Sequence, residues 1–523
     1  IQLPAPGDAA GVRGPGKSTG GFGVIRPVGI ETEYGLNCEG FSEEIDFGYE
    51  ASMLVRAARV EGAFRGWDYS REDPYWDLRG IRAERLERDP HDLRNSTSKS
   101  SKMSAEELLA NTVLPSGARY YNDHNHPEFC TDVCVSLKDL VAQDKAGERL
   151  LLACQQARNG SATDGKVLVV KNNTDYHGRS YGTHENYLVP RAVPFQKLVD
   201  GMIPYLVARQ VLVGAGKVGC EGKVAGAAKF QLSQRGDFFE EKVGINTTAR
   251  RPIFNTRDEP HADKKQYRRL HVIAGDANRS EYATALKAGM SGLVLDRLVA
   301  DEDFGIRLRD PVRAVREFSR DPDLRATAEL DSGEAVSAPD IMERYLETLE
   351  AQGVEGAERG WVLGQWRELL DLLRSDPAAA GDRLDWVAKR NLLDSPGGAA
   401  ELDLASRRKI DLAYHLVDPE MSLYDSLVES GRMRTLVSES RIGAAAQTPP
   451  SGTRGTVRGL ILRRFGSHVR NMEWDSVTLE LDGRTIEVKM EAVAGDVIDR
   501  LTEVFAEAAT LAEAVARLES GRN

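Results

Sequence analysis

Two glutamates near the start of the chain have the spacing of a cation site. Glu31 and Glu33 stand two residues apart in the segment GIETEYG. In a β-strand they point to the same face, about 6.6 Å apart along the strand. Like charges held this close repel unless a cation or a proton intervenes, and hard divalent cations prefer oxygen ligands. The pair therefore predicts a metal site, with a solvated strand face as the alternative.

A second polar segment reads RYYNDHNHPE and covers residues 119–128. On a strand, Arg119, Tyr121 and Asp123 share one face. This alternation does not make a core face, but it suits a phosphate contact, a metal-side oxygen and a nucleophile or general base. We expect Pro127 to end the strand pairing, because proline lacks a backbone N–H. A half-exposed surface strand is the alternative.

Two more segments carry a histidine beside acidic residues. His184 stands in SYGTHEN and His261 in NTRDEPHAD, and either could complete a metal shell of oxygen and nitrogen ligands. Ordinary core or surface histidines are the alternative. Arg257, Arg268 and Arg269 could clamp a polyphosphate through bidentate hydrogen bonds. Surface salt bridges are the alternative for the arginines.

Periodicity predicts the elements that position these residues. Strands are expected at residues 24–30, 118–123, 167–171, 181–188, 230–234 and 270–273. Helices are expected at residues 50–65, 197–213 and 281–300, and most of 312–417 is expected to be helical. Ser104 and Glu107 form a capping-box pattern that predicts a short helix at residues 104–111.

A composition break divides the C-terminal part from the rest. Residues 444–455 read AAAQTPPSGTRG, which is typical of a linker. A helix at 457–465 and a hairpin about Asp482-Gly483 are expected after it. The predicted organisation is listed in chain order: a disordered extension at 1–23, a catalytic domain at 24–443 with a flexible loop at about 81–114, a linker at 444–455 and a C-terminal domain at 456–523.

Composition excludes several classes of protein. The chain has 523 residues, with 69 Lys plus Arg against 81 Asp plus Glu, so its formal net charge is −12. An acidic total argues against a nucleic-acid partner. No apolar run reaches the roughly 18 residues of a membrane span, so no membrane partner is expected. The five cysteines do not have the spacing of a disulfide framework, which favours a cytoplasmic protein.

Two nucleotide-binding patterns lack the context that their mechanism needs. Residues 11–18 read GVRGPGKS and match the P-loop, but no strand precedes them and no helix follows. Residues 214–219 read GAGKVG and match GxGxxG, but they follow a predicted helix instead of a strand. A turn that ends the helix is the better interpretation of the second pattern.

Taken together, these segments resemble the Pup ligase/depupylase family (PafA and Dop), whose members are relatives of glutamine synthetase and the carboxylate-amine ligases. The resemblance runs from about residue 28 to residue 481. It rests on the following segments: GIETEYG (29–35), GARYYNDHNHPEF (117–129), DKAGERLL (144–151), KNNTD (171–175), SYGTHENYL (180–188), FNTRDEPHAD (254–263) and RRLHVIAGDAN (268–278).

The resemblance implies an α+β fold with a glutamine-synthetase-like curved antiparallel sheet that cradles ATP (or ADP plus phosphate) and Mg²⁺, beside a small C-terminal α+β domain. Asp123 resembles the catalytic aspartate. The residues that resemble metal ligands are Glu31, Tyr121 and Glu128, with Glu33, His184 and His261 as additional candidates. The residues that resemble nucleotide contacts are Arg119, Thr131 and Trp474, to which the arginine clamp adds Arg257.

Within the family, the long connection that contains Trp67 and Glu72, and the order Asp123-His124-x-His126, resemble Dop more than the ligases. This similarity implies an enzyme that hydrolyses the isopeptide bond between the C-terminal Glu of Pup and a substrate lysine. Asp123 would attack the scissile carbonyl directly or activate a water or phosphate. Some members also deamidate a C-terminal Gln of Pup.

The implied partners are Pup and pupylated proteins, and a monomer is expected. The Lys-, Arg- and Ser-rich loop at residues 81–110, and Asn125, Phe129 and Cys130, depart from the usual Dop pattern. A Dop-like paralogue without deamidase activity therefore stays open. So do an ATP-dependent Pup–protein ligase, a small-molecule carboxylate-amine ligase and a non-catalytic Pup-binding regulator.

Overall fold

A computed structural model describes residues 26–87, 99–221, 229–353, 355–395 and 402–520. Its strands are β1 Val28–Glu33, β2 Gly35–Glu39, β3 Thr112–Val113, β4 Arg119–Asp123, β5 His126–Cys130, β6 Lys166–Val170, β7 Thr183–Pro190, β8 Lys217–Val218, β9 Phe230–Gln231, β10 Phe239–Gly244, β11 Arg251–Asn255, β12 Tyr267–Val272, β13 Thr327–Glu329, β14 Ala335–Ser337, β15 Val469–Met472, β16 Ser476–Leu481 and β17 Arg484–Lys489.

The helices lie mainly between and after the strands of the first half. They are α1 Phe47–Arg56, α2 Ala105–Leu109, α3 Leu137–Ser161, α4 Phe195–Ala208, α5 Gln210–Val213, α6 Glu281–Val299, α7 Pro311–Ser319, α8 Ala338–Glu350, α9 Ala357–Ser375, α10 Asp385–Asp394, α11 Leu404–His415, α12 Leu423–Glu429, α13 Glu439–Ala445, α14 Arg454–Phe465, α15 Asp496–Glu507 and α16 Leu511–Ser520. In the described part of the chain, no helix is both long and apolar enough to cross a membrane.

The scaffold of the site is a six-stranded sheet in the order β12-β7-β1-β5-β4-β3, in which every neighbouring pair is antiparallel. Side chains alternate between its two faces. On β1, Val28 and Ile30 are buried in the main hydrophobic core together with residues of α3, α4 and α6. Glu31 and Glu33 therefore face the other side. The predicted α+β fold with an antiparallel sheet is confirmed.

The C-terminal elements build a second core. Buried residues of α14, β16, β17, α15 and α16 form one hydrophobic cluster, which also contains Trp67 and Val113 from the first half of the chain. The predicted hairpin is present, and Asp482 and Gly483 have φ of 49° and 75°, as a two-residue type I′ turn requires. Helix α14 begins at Arg454, three residues before the predicted start. The proposed division into domains stays a prediction.

Other boundaries differ from expectation. Helix α1 ends at Arg56 rather than at residue 65, and Phe64 instead forms a bridge with Val113. The predicted strand at 230–234 is reduced to the two residues of β9. The predicted loop at 81–114 contains α2, and its Ser104–Glu107 capping box is confirmed. Residues 88–98 of this loop, and the extension at 1–23 with its P-loop pattern, lie outside the described residues.

The GxGxxG pattern at residues 214–219 ends a helix, as expected. Helix α5 stops at Val213, Gly214 is its C-cap, and Gly216 and Gly219 have φ of 72° and 82°. Only the two-residue strand β8 stands between these last two glycines. The order of a dinucleotide-binding turn, a strand followed by a helix, is therefore absent from this described segment.

Candidate active site

One large cavity, of about 1050 Å³, opens above the front face of the sheet. Residues from five neighbouring strands line it, because each strand presents alternate side chains to the same face. The lining residues with chemistry on these strands are Glu31, Glu33, Arg119, Tyr121, Asp123, His126, Glu128, His184, Arg269 and His271. The sheet thus brings together most of the residues that the sequence singled out.

Three carboxylates form the first cluster on the cavity floor. Glu33, Asp123 and Glu128 each offer an oxygen within 4.8 Å of the others. Strand register explains the arrangement, since Glu33 pairs with Glu128 across β1 and β5. Burial raises the pKa of Glu128 well above its usual value, and the charges of Asp123, Glu31 and Glu33 raise it further. The cluster is therefore short of positive charge.

Asp123 stands at the end of β4, directly before a tight turn. His124 and Asn125 both have positive φ, of 44° and 70°, which is the geometry of a type I′ turn. His124 Nδ1 lies 2.8 Å from Asp123 Oδ2. Burial alone would raise the pKa of Asp123, but the charges and hydrogen bond of His124 and the charges of Arg119 and Arg257 hold it below its usual value. Asp123 is therefore an anion at neutral pH.

The expectation that Pro127 ends the pairing is wrong. Pro127 is the second residue of β5 and pairs with Asn122 of β4. Its carbonyl oxygen accepts a hydrogen bond from Tyr34 N at 3.0 Å. The two-residue turn places Pro127 next to the hairpin end, where its missing N–H does not prevent the pairing of β4 and β5.

A second cluster combines one carboxylate with two histidines. Glu31, His184 and His271 offer ligand atoms within 4.8 Å of one another. His184 Nδ1 lies 3.2 Å and His271 Nε2 lies 3.5 Å from Glu31 Oε2. Burial opposes ionisation of Glu31, but the two histidines and Arg269 hold its pKa well below its usual value. Burial, followed by the charge of Arg269, lowers the pKa of His271 to about 3, so its ring stays neutral.

The sequence analysis did not assign His271 to the site and proposed His261 instead. His271 follows Arg269 by two residues on β12, so strand alternation was the available signal. His261 lines the cavity but belongs to neither metal-type cluster among the described residues. Arg268 lies on the opposite face of β12 and donates a hydrogen bond to Arg191 O, so it does not join the predicted clamp.

Arg119 lies at one end of the cavity between two aromatic rings. Its guanidinium carbon is 3.9 Å from the ring centres of both Trp67 and Tyr121. Its Nη2 donates to Tyr69 Oη at 2.9 Å and to Asn111 Oδ1 at 2.7 Å. A guanidinium held in this way has a fixed orientation, which suits the recognition of a phosphate or a planar group.

The remaining predicted nucleotide residues separate into two groups. Arg257 and Trp474 line the large cavity, and the Trp474 ring packs edge-on against Trp67 with centres 5.3 Å apart. Thr131 does not line it. Its Oγ1 accepts a hydrogen bond from Ile30 N at 3.0 Å, and it borders a small adjoining cavity of about 70 Å³ that also touches Trp474 and His261.

Comparison with known proteins agrees with this geometry. Residues 26–478 match the family described as Pup-ligase protein. The depupylase of Acidothermus cellulolyticus is 39% identical over 534 residues, which cover 95% of this chain and 100% of the relative. The Pup deamidase/depupylase of Mycolicibacterium smegmatis is 39% identical over 88% of this chain and 93% of its own. The Pup–protein ligase of Acidimicrobium ferrooxidans is 39% identical over 75% of this chain and 89% of its own.

Two solved structures are similar over most of their length. The complex between the prokaryotic ubiquitin-like protein Pup and its ligase PafA superposes with a TM-score of 0.74 at 29% identity, covering 94% of this chain and 95% of the ligase chain. PafA in complex with ADP superposes with a TM-score of 0.68 at 30% identity, covering 84% and 98%. The chain belongs to the Pup-ligase family.

Proposed function

We propose that this chain is a depupylase, which hydrolyses the isopeptide bond between the C-terminal Glu of Pup and a lysine of a pupylated protein. The observation that carries the proposal is the length of the match: relatives named depupylase align with 88–95% of the chain, and the ligase of Acidimicrobium ferrooxidans with 75%. Asp123 in the cavity provides a reacting group. Deamidation of Pup that ends in Gln is a further activity to test.

The long connection between α1 and β4 supports hydrolysis. It supplies Trp67, Tyr69 and Asn111 to the surroundings of Arg119. The Dop-type sequence of this connection is the feature that distinguished the chain from the ligases, and its residues contact the site. An ATP-dependent Pup–protein ligase is therefore the less favoured alternative.

ATP, or ADP plus phosphate, is the proposed cofactor. Arg119, Trp474 and Arg257 line one end of the cavity, and the similar ligase PafA forms a complex with ADP. Arginines and aromatic rings at one end of a cavity suit a polyphosphate and a planar base, respectively. Thr131 would contribute only at the small adjoining cavity.

The carboxylates fit Mg²⁺. Glu33, Asp123 and Glu128 offer only oxygen ligands, the donor type of hard cations, and Glu128 has no cationic partner among the described residues. In the second cluster, neither nitrogen of the buried His271 ring has a hydrogen-bond partner. Glu33 and Glu128 would hold one ion beside Tyr121, and Glu31, His184 and His271 another. A bound divalent cation would polarise a phosphoryl or carbonyl oxygen.

Asp123 is the proposed reacting group. Its lowered pKa keeps it ionised, which suits a nucleophile, whereas a weakly basic carboxylate is a poor acceptor of protons. Direct attack on the scissile carbonyl is thus favoured over activation of a water molecule. The adjacent His124, with its Nδ1 2.8 Å from Asp123 Oδ2, orients the carboxylate.

Cations elsewhere in the cavity would bind the Pup chain. Arg235 lines the cavity, is 1% exposed, and has no ion pair among the described residues. It is the proposed partner of the α-carboxylate of the C-terminal Glu of Pup. Arg179, Arg408 and Lys409 also line the cavity and have no carboxylate within ion-pair distance in the described ranges. We place the adjoining Pup residues against them.

A gel assay tests the function. The purified chain is incubated with a pupylated protein, with Pup that ends in Gln, and with free Pup plus a target protein, each with and without ATP and Mg²⁺. We expect release of Pup from the first substrate. Formation of conjugate in the third reaction, without cleavage in the first, would establish a ligase and contradict the proposal.

Asp123→Asn is the matched control, because it keeps the shape of the side chain and removes its charge. We expect cleavage to fall by at least about a thousandfold, as for other reacting groups, while ADP binding measured by calorimetry stays within about threefold. Retained turnover by this variant would show that Asp123 is not the reacting group.

A further inference from the structure

Asn122 lies between Tyr121 and Asp123 on β4 and faces away from the cavity. Successive strand residues point to opposite faces, so its side chain enters the layer behind the sheet, where it is 3% exposed. Its Nδ2 lies within hydrogen-bond distance of three oxygens: Leu108 O at 2.9 Å, Ser52 Oγ at 3.1 Å and Gly48 O at 3.2 Å.

These acceptors belong to two helices that are fixed to each other. Gly48 and Ser52 lie on α1, and Ser52 Oγ donates to Gly48 O at 2.9 Å and also to Leu108 O of α2. Asp46, the N-cap of α1, accepts hydrogen bonds from Tyr49 N at 3.0 Å and from Ser100 N at 2.8 Å. The first turn of α1 and the segment that leads into α2 therefore form one hydrogen-bonded unit.

The same unit contacts the chain on the other side of Asp123. A Cβ atom added at Gly48 would lie 2.5 Å from Asn125 Oδ1, so α1 and the turn residue touch directly. Asn122 before Asp123 and Asn125 after it both rest against the first turn of α1. The backbone of Asp123 is consequently held from both sides, although its own side chain contacts only cavity groups.

Precise placement matters for a reacting carboxylate, because a displacement of about 1 Å can cost roughly a hundredfold in rate. Strand pairing alone holds Asp123 at the last position of β4, next to a turn with two positive φ angles. The donors of Asn122 supply the missing constraint. Its Oδ1 has no hydrogen-bond partner, so the donors alone tie this side chain to the helices.

We propose that Asn122 is a positioning residue for the reaction: its amide ties the end of β4 to α1 and α2 and thereby fixes Asp123 relative to the cavity. This inference rests on the proposed function, because it takes Asp123 as the reacting group. It adds a residue that does not touch the cavity and that the charge pattern of the strand does not single out.

The test compares kcat, KM and ADP affinity of the full chain with those of Asn122→Ala, Asn122→Asp and Ser52→Ala, using a pupylated protein. We expect kcat to fall about tenfold or more in both Asn122 variants, with KM and the ADP Kd within about twofold. Aspartate keeps the shape but cannot donate, so Asn122→Asp separates the hydrogen bonds from packing. Ser52→Ala removes one of three acceptors and should give an intermediate decrease.

Asn159→Asp is the control for general damage. Asn159 donates from Nδ2 to Val167 O at 2.8 Å, away from the cavity, and its replacement should lower Tm without lowering kcat. A folded Asn122→Ala with unchanged kcat would overturn the proposal, as would equal losses in kcat and ADP affinity. If the Asn122 variants do not fold, an unchanged kcat in Ser52→Ala overturns it. An inactive parent chain would instead contradict the proposed function.

Discussion

At the scale of single residues, the neighbours of two carboxylates push their pKa values in opposite directions. Asp123 lies beside His124 and within the field of Arg119 and Arg257, and its pKa is lowered. Glu128 is buried among other carboxylates, and its pKa is raised well above the usual value. Divergent pKa values in one cluster indicate different roles. Asp123 reacts as an anion, whereas Glu128 holds a proton until a cation replaces it.

Glu128 therefore predicts that Mg²⁺ binding releases protons. The raised pKa means that Glu128 is protonated over a range in which a free carboxylate is ionised, and a bound cation requires the ionised form. Mg²⁺ affinity should rise with pH until Glu128 ionises without the metal. Calorimetric titration with Mg²⁺ in buffers of different ionisation enthalpy measures the protons released.

Glu128→Gln provides the comparison for this experiment. The variant has no proton to lose at this position, so its Mg²⁺ affinity should be weaker and its proton release smaller. Equal proton release by the parent chain and the variant would assign the effect to another group. Chelation of the metal with EDTA should abolish cleavage by the parent chain.

At the scale of elements, the sheet and the connection between α1 and β4 divide the work. The strands present the two metal-type clusters, because alternation and antiparallel register place them on one face. The connection instead orients Arg119. Tyr69 Oη accepts from Arg119 Nη2 and also from Asn111 Nδ2, at 2.9 and 2.7 Å. Nucleotide affinity should thus depend on a residue of the connection.

Tyr69→Phe tests this dependence. The change keeps the ring near Arg119 and leaves two buried donors without their acceptor, which typically costs about 1–3 kcal/mol. We expect ADP to bind roughly five- to a hundredfold more weakly by calorimetry. Tyr75→Phe is the matched control, because Tyr75 lies on the same connection under Arg82 and does not contact Arg119. Equal affinities of the two variants would contradict the role of Tyr69.

At the scale of the whole molecule, the connection joins the catalytic sheet to the C-terminal elements. Trp67 packs against Trp474, and Asp68 N donates to Met472 O at 3.0 Å. Arg71 Nη1 lies 2.9 Å from Glu473 Oε1. Burial, with smaller contributions from Asp475 and Asp68, raises the pKa of Glu473 to about 7 despite Arg71 and Ser476. This junction is therefore sensitive to pH near neutrality.

The sign of the effect follows from the raised pKa. The folded chain binds a proton at Glu473 up to a pH of about 7, whereas the unfolded chain loses it near the ordinary value of about 4.3. The contribution of Glu473 to the free energy of unfolding is thus complete at low pH and is lost as the pH rises to about 7. Glu473→Gln should raise Tm, relative to the parent chain, more at pH 8 than at pH 5.5.

Thermal unfolding of both proteins across this pH range measures the difference. Glu480→Gln is the control, because Glu480 is an exposed residue of the adjacent strand β16 and its pKa is lowered by Arg470. A Tm difference for Glu473→Gln that does not change with pH would show that Glu473 does not titrate at this junction.

The sequence by itself determined what depends on neighbouring residues in the chain. Strand alternation placed Glu31 with Glu33, and Arg119 with Tyr121 and Asp123, on common faces. The Asp482-Gly483 turn was equally local, since only certain residues accept two positive φ angles. These features need no knowledge of which strands pair. The long motifs then indicated the family.

The tertiary structure alone decided which of these faces meet. His271 joined Glu31 and His184 because β12 pairs with β7 and β7 with β1, and Thr131 bonded to the backbone beside the cavity. Asn122 acquired its partners from helices 14 or more residues away in the chain. Strand order, register and burial arise from packing of distant segments, so no local pattern of residue types can specify them.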